Sequence, residues 1–257
     1  MFNSFYTSVA AGLVAKLPKC LIKFGRNFVL NYYSSKGVVP ECFGVSIVSE
    51  NKILKYLSNL SSKKATGLDG IPSRFVKDSA SVIANPLSHI INLSFIQGVV
   101  PDDFKSARVV PLFEKNDKTK VGNYRSVSIL SIVSKVLGRV VYDQMEEYLC
   151  YKNLLYKYQS GLRRQFSTES FLLHLIDYIR FDMDKGNFVG MILLDLQKAF
   201  NTVDHSIISM KLQALGLNKL AVRWFSSYLS DRHQFVDISG TFSTQGNITC
   251  GVPRDPF

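Results

Sequence analysis

The sequence predicts an α+β fold, and three observations carry that prediction. Apolar residues recur at helical spacing along residues 49–60, 73–98, 131–150 and 168–185. Two pairs of short runs, 107–113 with 124–130 and 234–238 with 246–250, read as hairpins. A further run, 188–194, is nearly continuous apolar surface of strand length, the pattern of a strand covered on both faces.

Each element has a local reason. Ser49 caps a short amphipathic helix whose Ile53, Leu54, Leu57 and Leu60 share one face. The turn Gly67-Leu68-Asp69-Gly70-Ile71-Pro72 ends that stretch, and Ser73 caps a second helix that Pro86 kinks and Gly98 stops, with Phe75, Ile83, Leu87, Ile90 and Ile91 inward. The first hairpin carries an extended polar tip, 114–123. A long helix follows over 131–150 and another over 168–185, with Phe171, Leu172, Leu175, Ile176 and Ile179 as its stripe and Gly186 as its stop. Beyond the 188–194 strand, Asp204 caps a helix ending near Gly216 and Asn218 caps one running to about Ser230. The second hairpin turns across Ser239-Gly240.

Composition sets bounds. With 257 residues and 46% of them apolar, the chain can bury one sizeable core or two modest ones. A formal charge of +11 favours polyanionic partners and binding that weakens with salt. Cys20, Cys42, Cys150 and Cys250 are scattered without a Cys-x-x-Cys pair, which argues against a zinc site and a disulfide framework. Lys16 and Lys19 interrupt the most apolar part of the start, no run is long enough to span a bilayer, and the expected setting is intracellular, with no address and no membrane partner.

The chemistry-bearing segment is Leu193-Leu194-Asp195-Leu196-Gln197-Lys198-Ala199-Phe200, which sets a carboxylate at the end of an apolar strand. Burying an unpaired carboxylate costs several kcal/mol, so such an Asp is paired, hydrogen-bonded or bound to a cation; it equally suits the end of a strand or the cap of a turn. Around it, in order, stand Lys64-Ala65-Thr66-Gly67-Leu68-Asp69-Gly70-Ile71-Pro72, Val109-Val110-Pro111-Leu112-Phe113, Asn123-Tyr124-Arg125-Ser126-Val127-Ser128-Ile129-Leu130 and Gln159-Ser160-Gly161-Leu162-Arg163. Asn201-Thr202-Val203-Asp204-His205 and Ile248-Thr249-Cys250-Gly251-Val252-Pro253 complete the set. Through these segments, residues 48–253 resemble the reverse transcriptase of LINE-type (non-LTR) retrotransposons, the Jockey-like branch.

The resemblance implies the fingers and partial palm of a right-hand polymerase: a linker-like extension over 1–48, a fingers-like region over 49–187 and part of the palm over 188–257. It implies an RNA template, a DNA primer and deoxynucleotides as partners, and Mg²⁺ as cofactor. Asp195 would be a catalytic carboxylate and metal ligand, with the backbone carbonyl of Leu196 as a further oxygen donor. Arg125, and next to it Lys115, would clamp the triphosphate, whereas Lys118 and Lys120 fit a solvated hairpin tip. Phe200 stands at the steric-gate position under the sugar, or else is a core aromatic.

Asp204 and Asp237 read better as a helix cap and a solvated strand face than as further ligands. The family usually has Pro at Ser126 and Asp at Asn201, and a Gly-Arg pair where Gln165 and Phe166 stand. Arg254-Asp255-Pro256 replaces Gln-Gly-Ser, and Phe257 comes before any Tyr-x-Asp-Asp hairpin. The expectation is a truncated polymerase with little or no activity alone. The alternatives are a non-catalytic basic nucleic-acid-binding module and an unstable remnant.

Overall fold

The computed structural model describes residues 1–15, 22–196 and 198–253. Lys16, Lys19, Cys20, Gln197 and the residues 254–257 of the sequence reading lie outside the described residues. The chain divides into two compact units, Met1–Tyr148 with Lys198–Phe257, and Leu149–Gln197.

The first unit is α+β. Its helical layer joins α3 (Glu50–Ser58), α4 (Ser73–Asp78), α5 (Ala80–Gln97), the body of α6 (Ile132–Tyr151), α8 (His205–Ala214) and α9 (Lys219–Leu229). The caps act as expected: Ser49 accepts from the Lys52 amide, Asp204 from Ser206 and Ile207, and Asn218 from Ala221. Ile53 and Leu57 of α3, Ile91 of α5, Leu137 and Val140 of α6 and Trp224 of α9 bury into one apolar cluster. Trp224 also donates from Nε1 to Ser94 Oγ at 2.9 Å, so its polar edge is satisfied inside the core.

The helix expected over 73–98 is two helices. It breaks at Ser79 and not at Pro86, which sits inside α5. Ser73 is the first helical residue and not the cap; fully buried, it donates to the Ser61 carbonyl at 2.8 Å. Phe75 and Ile90, expected inward, are exposed, because the break rotates the inward face onto Val76, Ala80 and Ala84. Gly98 ends α5 in the left-handed region at φ 63°.

The sheet runs β2–β1–β3 through β1 (Ser106–Phe113), β2 (Tyr124–Ile129) and β3 (Arg232–Ile238). The β1–β2 pair is the expected antiparallel hairpin, with Leu112 opposite Arg125 and Pro111 opposite Ser126. β1 and β3 pair in parallel, Ser106 with His233 through Val109 with Val236. The second hairpin differs from expectation. Ser239 and Gly240, at φ 52° and 87°, turn β3 into the two-residue strand β4 (Thr241–Phe242), and β5 (Gly246–Ile248) then pairs with Arg232–Gln234 at the other end of β3.

Residues 1–48, expected to be a linker-like extension, hold two helices, α1 (Phe2–Val14) and α2 (Ile22–Ser35). α1 is structured because Phe2, Phe5 and Tyr6 give it an apolar face that packs on Val109 and Val236 of the sheet.

In the second unit, α7 (Thr168–Asp184) begins in a capping box between Ser167 and Ser170, and Gly186 follows it at φ 78°. Its expected apolar stripe is not buried: Phe171, Leu172 and Ile176 are exposed. The strand expected over 188–194 is not formed either. Residues 188–196 carry no strand or helix, and Phe188, Ile192, Leu193 and Leu194 are almost fully exposed. A strand exists only through its neighbours, and among the described residues the apolar run has none paired to it.

Candidate functional site

Two parts of the first unit carry the chemistry. One is the loop at the tip of the β1–β2 hairpin. Asp117 orders it by accepting from the Thr119 amide and hydroxyl at 2.9 and 2.7 Å, while Asn123 donates to the Asp117 carbonyl at 2.8 Å. The Thr119 hydroxyl and amide hold the Asp117 carboxyl below its ordinary range. Tyr124 clips the loop further by donating to the Lys118 carbonyl at 3.0 Å. Lys115, Lys118 and Lys120 are exposed on it. Arg125 is half-buried at its base and sits 3.7 Å from the Glu114 carboxylate. Arg125 lies opposite Leu112, on the sheet face that also carries Arg108.

The other part is on the opposite face. There, Ser126 and Ser128 of β2 and Arg232 and Gln234 of β3 line a cavity of about 50 Å³ together with Tyr6, Asn201 and the 248–253 segment. Phe200 is fixed beside it: its carbonyl accepts from the Val252 amide at 2.8 Å, and Gly251 donates to the Val203 carbonyl at the same distance. Gly251 has φ 85°, and a Cβ there would stand 2.8 Å from the carbonyl oxygens of Phe200 and Asn201. Glycine is therefore required on both counts. His205 closes the turn through Nε2 on the Gly251 carbonyl at 2.7 Å. Two segments quoted separately from the sequence, around Phe200 and around Gly251, are thus brought into backbone contact.

Arg232, which sequence reasoning missed, is 2% exposed. Its Nη1 donates to the Tyr228 carbonyl at 2.8 Å and its guanidinium lies over the Tyr228 ring. Burial pushes it below its ordinary value, with Tyr228 acting the other way. Among the described residues, Arg232 Nη2 and Tyr6 Oη are buried without a hydrogen-bond partner, and each such orphan costs roughly 1–3 kcal/mol. Burial, then the neighbouring Tyr124 and Glu114, raise the Tyr6 phenol. Lys198 stands nearby in the left-handed region, under the Phe5 ring at 4.4 Å; burial lowers its pKa and Glu114 opposes that. The sequence holds one signal for Arg232: alternation back from Val236 through Gln234 puts it inside, one step before the strand start expected at Gln234.

Asp195 and Leu196 belong to the second unit and are exposed. Of the two rejected ligands, Asp204 is the helix cap expected, whereas Asp237 is not solvated; it is 4% exposed and paired with Arg108. Among the described residues, no three His, Cys, Asp or Glu side chains converge as a metal site. No described helix is long and apolar enough to cross a membrane.

The hairpin loop, the Phe200 turn and the Gly251 segment all fall within residues 113–254, which match the model of the reverse transcriptase (RNA-dependent DNA polymerase) family. The match takes in more than half of the chain, and the chain belongs to that family. Its relatives are polymerases of LINE-type mobile elements, the Jockey-like branch among them. The RNA-directed DNA polymerase from mobile element jockey of Drosophila melanogaster is 26% identical over 212 residues, 82% of this chain and 23% of that protein. The probable RNA-directed DNA polymerase from transposon BS, of the same organism, is 25% identical over 217 residues, 79% of this chain and 22% of that protein. The retrovirus-related Pol polyprotein from type-1 retrotransposable element R2 of Popillia japonica is 27% identical over 174 residues, 66% and 24% of the two chains. The chain spans about a quarter of the length of these curated relatives.

Proposed function

We propose that this chain is the fingers and first part of the palm of a right-hand polymerase, with 49–187 fingers-like and 188–257 palm-like, and that it holds an RNA template, a DNA primer and deoxynucleotides. The observation that carries this reading is the fixing of Phe200 against Gly251 and Val252 beside the cavity, in a domain whose neighbouring hairpin carries Lys115 and Arg125. Phe200 then stands under the sugar, and the exposed lysines with Arg125 attract the phosphates through charge and a bidentate fork.

Mg²⁺ is matched only in part by the residues of the second unit. The Asp195 carboxylate and the Leu196 carbonyl are hard oxygen donors of the right kind, but one carboxylate is too few to hold the paired ions that phosphoryl transfer between nucleotides uses. Among the described residues nothing completes the set. The reading is accordingly of a chain that binds nucleic acid and does not extend it alone.

One experiment tests both halves. The 257-residue chain is mixed with a labelled DNA primer on an RNA template, deoxynucleotides and Mg²⁺, and anisotropy and primer length are followed across a salt series. Binding should weaken steeply from low to physiological salt, lessen when Lys115, Lys118, Lys120 and Arg125 are all replaced by Ala, and leave the primer unextended. Salt-independent binding would count against the basic hairpin as the contact surface. Extension abolished by Asp195→Asn would show that the catalytic set is complete.

A further inference from the structure

Because residues alternate along a strand, Arg232, Gln234 and Val236 of β3 share one face, and Val236 is the residue on which Tyr6 of α1 packs. α1 therefore lies over the face that carries the cavity. Beside that apolar packing it is held by polar and ring contacts. Asn3 accepts from Gln234 Nε2 at 2.9 Å and donates to the Thr244 carbonyl at 2.7 Å, and Phe2 meets the Tyr124 ring edge-on at 5.0 Å.

The cover fits the face poorly in one respect. α1 contains no charged residue, yet it closes over two cations, Arg232 and Lys198, and the acid whose field reaches Lys198 is Glu114 of the hairpin loop. What α1 offers Lys198 is the ring of Phe5, and among the described residues Arg232 Nη2 and Tyr6 Oη both remain without a hydrogen-bond partner. A ligand carrying phosphate oxygens would satisfy Arg232 Nη2 and the two charges better than this helix does.

We propose that α1 is a displaceable cover, and that the phosphates of a bound nucleic-acid strand replace it over Arg232 and Lys198. The inference rests on the polymerase reading above and adds to it a regulation of the same face. The protein binds in its open form, so its apparent affinity scales with the fraction of molecules in which α1 is lifted.

Hydrogen exchange on the full chain reads the opening directly. Without ligand, α1 amides should exchange faster than those of β1 and β3, through a local opening that leaves the sheet intact. Tyr6→Phe removes an orphaned hydroxyl from the closed form, so it should slow α1 exchange by roughly threefold or more and weaken binding of a single-stranded DNA oligonucleotide by the same factor. Phe2→Ala combined with Asn3→Ala should shift both quantities the other way, and added oligonucleotide should deprotect α1 in the wild-type chain. Exchange of α1 at the sheet's own rate in every form, or equal affinity in all three forms, overturns the cover. Absence of binding in every form, with α1 still opening locally, overturns the nucleic-acid reading and with it this occupant.

Discussion

Arg108 of β1 donates from Nε to Asp237 of β3 at 2.8 Å, two residues beyond Phe235, its register partner on the parallel strand. The same guanidinium reaches the Thr66 carbonyl at 3.3 Å, and the other Asp237 oxygen accepts from the Gly240 amide at 2.8 Å. The Arg108–Asp237 pair thus joins the segment before α4, the centre of the sheet and the β3–β4 turn.

Replacing Asp237 by Ala should be costly. It strands the Arg108 charge and the Gly240 amide, and breaking a buried pair from one side costs about 3–5 kcal/mol, with the lower end expected because the Arg108 side chain is 30% exposed. Urea denaturation of the variant measures it. A loss well under ~1 kcal/mol would show that the pair is solvated in the folded protein.

Gly67 should not tolerate a side chain. A Cβ there would stand 2.9 Å from both the amide nitrogen and Cα of Ser131, and these backbone atoms cannot swing aside. Gly67→Ala should destabilise the chain by about 1–3 kcal/mol, as overpacking does, while Gly70→Ala meets no atom and pays only for its φ of 68°. Equal melting temperatures for Gly67→Ala and the wild type would mean that the 64–72 segment does not press on the start of α6.

The cap on α8 should be sensitive to pH. The Ser206 hydroxyl above all holds the Asp204 carboxyl below its ordinary value of 3.8; partial burial is the next largest influence and opposes this, and the Ile207 and Ser206 amides and the His205 charge add to the lowering. A depressed folded pKa means that the stabilisation is complete above the unfolded value and is lost as pH falls through the folded one. Asp204→Ala should cost about 1 kcal/mol near neutral pH, and that cost should shrink in denaturation series taken at roughly pH 3. A cost independent of pH would assign the effect to helix propensity.

Limited chymotrypsin digestion should cut first within 187–196. Past Asn187 this stretch has no helix or strand, and it exposes Phe188 at 105% and Leu194 at 89%. First cleavage inside the clipped 114–123 loop would place the weakest segment in the hairpin and not beside Asp195.

What the sequence made legible was local. Ser49, Asp204 and Asn218 cap helices through bonds that reach two or three residues, and the β1–β2 hairpin closes over its own loop, so short windows contain the whole cause. What it hid depends on distant partners. The parallel pairing of Ser106 with His233, the burial of Asp237 against Arg108 and the seating of Tyr6 on Val236 leave no periodic trace near either residue. The run 188–194 has the composition of a buried strand and no partner to make it one. At the site, the Phe200 and Gly251 segments were visible as motifs, but their mutual contact and the inward turn of Arg232 were not.

The parallel pairing of β1 with β3 also sets a timetable for synthesis. On the ribosome, β1 and β2 emerge close together and can close at once, whereas His233 follows Ser106 only after α6, α7, α8 and α9 have been made. At roughly 5–20 residues per second that interval is on the order of ten seconds. For that time the second edge of β1 is an open template beside nascent chain, and the hairpin's safety depends on what covers that edge before β3 arrives.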